Sequence, residues 1–182
     1  MRVIKAVAAT ALMVLMAGCS DYRPEARRCE YQDGLVLVDT DSPRLSWINS
    51  TDQTACQIIV STDRKMSGKG LVWDSGKVAS GESHLVPYAG PALEPLTEYW
   101  WSVRIWNGKG KASAWSKPAR WVKGPSPDGW DAEWIGAPWQ EDERGNWYTR
   151  YPMFRKEFDV GSGLESAKIF ISGLGYFEAR VN

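Results

Sequence analysis

The chain has 182 residues, room for one ordinary domain and part of a second. Lys plus Arg and Asp plus Glu number 22 each, so the whole-chain charge offers no basic field to attract nucleic acid or an anionic surface. Eleven tryptophans are many for this length; large aromatic side chains fill β-sandwich cores or form sugar-stacking platforms, and most are expected in core or interdomain packing.

Arg2 and Lys5 make a short basic start, and Ala6 to Ala17 is an apolar run too short to span a bilayer stably. Residues 1–18 therefore read as an export signal. Residues 19–28 are polar, with Pro24 and three Arg, and read as a tether. From 29 to 124, short apolar runs recur about every ten residues, separated by Gly, Pro, Asp and Ser. The runs are Leu35–Asp39, Arg44–Trp47, Thr54–Thr62, Leu71–Gly76, His84–Tyr88, Tyr99–Trp106 and Ala112–Val122. Seven such strands predict an all-β, immunoglobulin-like sandwich. In the sixth, period-two alternation puts Tyr99, Trp101, Val103 and Ile105 on one face, with Trp100, Ser102, Arg104 and Trp106 on the other. Asn107-Gly108 and Gly110 supply the turn back.

Residues 125–138 open Pro-Ser-Pro-Asp-Gly and read as a linker, with Trp130 to Trp139 laid across a neighbouring domain. Glu141 to Arg150 is a solvated loop. Residues 139–182 then carry three further strand-like stretches, Phe154–Val160, Ala167–Ser172 and Tyr176–Val181. So few strands cannot close a sandwich, so this region is expected to be the truncated start of a second β-sandwich.

Three resemblances narrow the reading. Leu15-Met16-Ala17-Gly18-Cys19 resembles the lipobox of bacterial lipoproteins, with Met16 where Leu is commoner. That implies an acylated Cys19 and an exported lipoprotein of the bacterial outer membrane, on its periplasmic or external side. The alternative is an ordinary signal peptide beside a chance Cys. Leu93, Pro95, Thr97 and Tyr99 match the tyrosine corner of fibronectin type III domains. The resemblance implies that the Tyr99 hydroxyl bonds back to the corner backbone. Finally, PRLSW (43–47), QTACQIIV (53–60), LVWDSGKV (71–78), VPYAG (86–90), ASAWS (112–116), WDAEWIG (130–136), FRKEF (154–158) and ISGLGYFEARVN (171–182) run in this order. Together they resemble the N-terminal region of bacterial α-L-rhamnosidases, glycoside hydrolase family 78. Cys56 departs from that pattern, where an aromatic residue is expected.

This resemblance implies a parent enzyme that removes terminal L-rhamnose from glycans with inversion, using an (α/α)6 barrel downstream of these residues. Asp74, Asp131, Glu133, Glu157 and Glu178 are carboxylates in motif regions, yet their placement beside apolar residues makes them outward-facing strand or turn residues. No catalytic residue, metal site or cofactor is assigned. The sole histidine, His84, has no second ligand cluster, and Gly161-Ser162-Gly163 lacks the Lys and helix of a phosphate loop. Trp100 and Trp106 are candidates either for sugar stacking or for an interdomain seam. Cys29 and Cys56 are either a disulfide or two buried thiols. The partners expected are later domains of the same polypeptide, rhamnose-containing glycans through the parent enzyme, and the membrane through the anchor, with no nucleic acid. The alternative function is a stand-alone surface lipoprotein whose fibronectin-type domain binds a glycan or protein.

Overall fold

The longest strand shows how the sequence builds this fold. Glu98–Trp106 alternates as expected: Tyr99, Trp101, Val103 and Ile105 are buried, whereas Trp100, Arg104 and Trp106 are half-exposed on the other face. This is the seventh of eight strands in the computed structural model, which describes residues 22–137, 152–165 and 167–181. In chain order the strands are β1 Glu25–Cys29, β2 Leu35–Val38, β3 Arg44–Ile48, β4 Ala55–Ser61, β5 Leu71–Asp74, β6 Val86–Pro87, β7 Glu98–Trp106 and β8 Ala119–Lys123. They form two sheets, of order β1-β3-β6 and β2-β8-β7-β4-β5. All pairs are antiparallel except β2 with β8, where Leu35 faces Arg120 and Val38 faces Lys123 in parallel register.

The core lies between the sheets, because inward residues of both alternate with outward polar ones. Leu45 and Trp47 of β3 meet Ile58, Val60, Trp101 and Trp121. Trp47 stands edge-on to Trp101 at 6.4 Å, and Tyr99 stacks on Trp121 at 5.8 Å. Tyr88 meets the edge of Trp73 at 5.0 Å, and Gly90 permits this approach, since a Cβ there would lie 2.4 Å from the Tyr88 hydroxyl.

The structure corrects the sequence reading in several places. Residues 25–28, read as tether, belong to β1, whose backbone pairs with β3 from Glu25↔Ile48 to Cys29↔Leu45. The run Glu-Ala-Arg-Arg carries no apolar alternation; the strand is held by backbone pairing and by the buried Pro24 and Cys29 at its two ends. The returning strand is shorter than Ala112–Val122, because Ser113 and Ser116 pair with β7 partly through their hydroxyls. The His84–Tyr88 strand reduces to Val86–Pro87. Of the nine tryptophans described, Trp47, Trp101 and Trp121 are buried, and Trp73 packs against them half-covered.

Residues 132–182 form a separate unit. Its apolar alternation is present, yet no strand forms among its described residues, and Phe154, Phe158, Ile169, Ile171 and Phe177 all stay exposed. A half-apolar strand needs neighbours to pair with and a facing layer to cover it. Gln140–Arg150, which includes the loop read as solvated, lies outside the described residues.

Candidate functional site

The corner that opens β7 is built from short-range geometry. Leu93 is buried in the core, and Thr97 Oγ1 donates to the Pro95 carbonyl at 3.1 Å. Leu96 takes a left-handed φ of 59° between them, which turns the chain sharply. The Tyr99 hydroxyl accepts the Glu94 N–H at 2.7 Å, joining the strand to the loop five residues upstream.

The outer face of the five-stranded sheet carries alternating cations and indoles. Trp100 is approached by Arg120, its register partner on β8, and by Arg64 beyond the end of β4, each guanidinium 5.3 Å from the ring centroid. Trp106 has Arg104 at 4.9 Å and Lys77 at 4.8 Å. Arg104 also lies 4.8 Å from Trp115. The row continues across the strands in hydrogen bonds: Arg104 Nε and one terminal nitrogen donate to Gln57 Oε1, and Gln57 Nε2 donates to Asp74 Oδ1 at 2.7 Å. Arg120 pairs with Glu98 at 3.0 Å. Sequence reading considered Trp100 and Trp106 singly. It placed Arg104 on the same face but missed Arg64, Lys77 and Arg120, which reach the two rings from other segments.

The candidate carboxylates are scattered. Asp74 accepts from Gln57 and from the Gly76 N–H, Asp131 and Glu133 are exposed, Glu157 pairs with Arg155, and Glu178 pairs with Arg180 at 2.8 Å. Two cavities lie on the three-stranded sheet. One, of about 310 Å³, is lined by Tyr22, Arg23, Glu25, Ile48, Asn49 and Ser50. The other, of about 220 Å³, lies beside Arg28, Tyr31, Ser46 and His84. Glu25 is the only carboxylate lining either. His84 faces Ser46 Oγ at 3.5 Å, and no group of three His, Cys, Asp or Glu able to hold a metal occurs among the described residues.

Cys29 and Cys56 are both buried and free. Burial, reinforced by Glu30, pushes the Cys29 thiol up to about 12, and burial alone raises that of Cys56. Glu30 itself is held below the usual carboxylate range, first by its side-chain hydrogen bonds from Arg44. At the other end of β8 the buried Lys123 ammonium reaches the Asp39 carbonyl and, at 2.9 Å, the Asp41 carboxylate, tying down the end of β2.

The chain enters and leaves at opposite ends of the sandwich. Tyr22 packs at the turn after β7, donating from its hydroxyl to Lys111 O at 3.2 Å and accepting from Ala114 N at 3.3 Å. Gly124 leaves beside the start of β7: Lys123 N donates to Thr97 O, and Gly124 N donates to Val38 O at 2.7 Å. Strand β7 of nine residues separates the two, about 27 Å at the usual rise. Cys19 lies outside the described residues.

Comparisons with known proteins agree with this architecture. The family model for the Rha78A-like N-terminal immunoglobulin domain matches residues 24–127. An α-L-rhamnosidase of Streptomyces avermitilis is 44% identical over 115 residues, covering 60% of this chain and 11% of that protein. An α-L-rhamnosidase of Formosa agariphila is 29% identical over 174 residues, covering 81% of this chain and 18% of that protein. The crystal structure of the Streptomyces avermitilis α-L-rhamnosidase complexed with L-rhamnose superposes with a TM-score of 0.60 at 43% identity, covering 64% of this chain and 12% of that one. The chain thus spans 11% to 18% of the length of these curated relatives. With its two-sheet sandwich matched across residues 24–127, the chain belongs to the Rha78A-like family and is the N-terminal immunoglobulin-like domain of α-L-rhamnosidase homologues.

Proposed function

We propose that this chain is the front of an exported α-L-rhamnosidase, held to the bacterial outer membrane through an acylated Cys19. The sandwich is a non-catalytic spacer that carries the later domains away from the anchor. The observation that carries this reading is the similarity to a Formosa agariphila α-L-rhamnosidase over 81% of the chain, more than the sandwich alone occupies. The spacer role is supported by the opposite placement of Tyr22 and Gly124, about 27 Å apart along β7.

Inverting hydrolysis needs two carboxylates about 6.5–9.5 Å apart around the scissile bond. Neither cavity on the three-stranded sheet offers two carboxylates, and this reading leaves hydrolysis to residues outside the sandwich. Trp100 and Trp106 already have cations over their rings from both flanks, and in this reading they stiffen the spacer rather than stack on sugar.

The test uses the gene product and the 182-residue chain side by side. The longer product should release rhamnose from p-nitrophenyl α-L-rhamnoside, with the inverted anomer appearing first by NMR. The 182-residue chain should release no p-nitrophenol, and Cys19→Ser should abolish acyl labelling and free the protein from the membrane fraction. Clear turnover by the short chain, or unchanged membrane retention of Cys19→Ser, would overturn the reading.

A further inference from the structure

The tether is shorter than the polar run of residues 19–28 implies. Pro24 is fully buried and Tyr22 packs against the core, with both its hydroxyl and its carbonyl bonded to the segment after β7. Only Ser20 and Asp21 stand between Tyr22 and Cys19. Three peptide steps reach at most about 11 Å. The headgroup layer on each side of a bilayer is about 5–7 Å deep. An acyl chain on Cys19 therefore leaves the sandwich only a few ångströms of freedom above the headgroups.

The structure also defines which end is brought down. It is the turn Asn107–Lys111, which Tyr22 touches. This turn is rigid: Asn107 Oδ1 accepts the N–H groups of Lys109 and Lys111, Gly110 N donates back to Asn107 O, and Gly110 adopts a φ of 73°. It presents Lys109 and Lys111, both exposed, with Arg23 close to Tyr22. The acidic groups at this end include Glu25, Asp52 and, by sequence, Asp21 of the tether; the Asp52 carboxylate is engaged by Thr51 Oγ1 and by Gly108 N at 2.8 Å. The chain as a whole is neutral, but screening leaves only charges within about 8 Å of a surface to matter, and the turn itself contributes only Lys109 and Lys111.

Resting on the lipid-anchored reading above, we infer that the Asn107–Lys111 end of the sandwich sits on the bilayer, with Lys109 and Lys111 paired to phospholipid headgroup phosphates. The anchor then fixes an orientation as well as a location, with β7 rising from the membrane and Gly124 at its far end.

The experiment uses the full chain, expressed with its leader and reconstituted into vesicles of phosphatidylethanolamine and phosphatidylglycerol doped with a headgroup-quencher lipid. A fluorophore is attached to Lys109→Cys or, at the other end beside the tyrosine corner, to Ala92→Cys. Cys29 and Cys56 are buried and should take no label. Quenching should be several-fold stronger at position 109 than at 92, and should fall when Lys111→Glu is added to Lys109→Cys. Equal quenching at the two positions, with the acyl mass on Cys19 confirmed by mass spectrometry, overturns the docked orientation and leaves the anchor standing. Absence of the acyl mass overturns both.

Discussion

Arg104 lies between two indoles, its guanidinium carbon 4.9 Å from the Trp106 ring and 4.8 Å from the Trp115 ring. The same fork donates twice to Gln57 on the neighbouring strand. One side chain thus connects β7, β4 and the segment after the turn. Cation–π contacts contribute about 0.5–1 kcal/mol at exposed sites and more when desolvated. Arg104→Ala should therefore destabilise the sandwich by about 1–3 kcal/mol in urea unfolding. Arg104→Lys should recover only part of this, because an ammonium lacks the planar fork. A double-mutant cycle with Trp115→Ala should show a coupling of about 0.5–1 kcal/mol. A coupling near zero would mean that the two groups are neighbours without energetic contact.

Tyr99→Phe removes the acceptor of the Glu94 N–H at the corner while leaving the ring stacked on Trp121. A part-buried donor left unpaired costs about 1–3 kcal/mol. The unfolding free energy should drop by that amount, read as a lower urea midpoint with an unchanged slope, since the surface exposed on unfolding is the same. A wild-type midpoint would show that the corner is held by Leu93 and Pro95 alone.

Ser116→Ala tests the hydroxyl pairing after the turn. Ser116 Oγ accepts the Val103 N–H at 3.1 Å, and Ser113 Oγ accepts the Ile105 N–H at 3.0 Å, both in buried surroundings. Each replacement strands one backbone donor, at about 1–3 kcal/mol. Hydrogen exchange should localise the effect: Ser116→Ala should speed the Val103 amide and leave that of Ile105 near its wild-type rate.

Stability should fall on the alkaline side. Cys29 titrates near 9 when solvated but is pushed up to about 12 in the fold, and Tyr88 rises from 10 to about 12, mainly through burial. The folded state holds these protons more tightly than the unfolded state does. Their contribution is fully present below about pH 9 and is lost as the pH climbs toward 12. Unfolding midpoints should be flat from neutral pH to about 9 and then decline. Thiol labelling should follow global unfolding rather than thiolate formation at the surface. Fast labelling of Cys29 or Cys56 in the folded chain at pH 8.5, read by peptide mapping, would contradict their buried placement.

Much of the sandwich was legible because its strands are short apolar runs between turn residues, and β2 and β7 alternate. Tyr99 to Trp106 could be assigned face by face, since a period of two is a property of the chain itself. Strand β1 was not legible. Its Glu-Ala-Arg-Arg has no apolar period, and its partner β3 lies some twenty residues away. The parallel pairing of β2 with β8 is likewise a matter of topology, which local pattern does not encode. The converse holds at Phe154 to Val160, where alternation is present and no strand forms, because a pattern declares a face but supplies no neighbour. For the candidate site, single residues such as Trp100 were readable. The cation on each flank was not, because Arg64 and Arg120 reach Trp100 only once three strands are in register.

The parallel ladder between β2 and β8 has a mechanical consequence when the sandwich is pulled from Tyr22 and Gly124. Tension applied at Tyr22 and Gly124, once it has passed β1 and its pairing with β3, draws β2 toward its start and β8 toward its end. The four residue pairs from Leu35↔Arg120 to Val38↔Lys123 are then strained together in shear, rather than peeled one after another. Lys123, gripping the Asp39 carbonyl and Asp41, reinforces that ladder where the pull arrives. A sandwich built this way should resist a pull between its two ends better than one whose terminal strands peel apart.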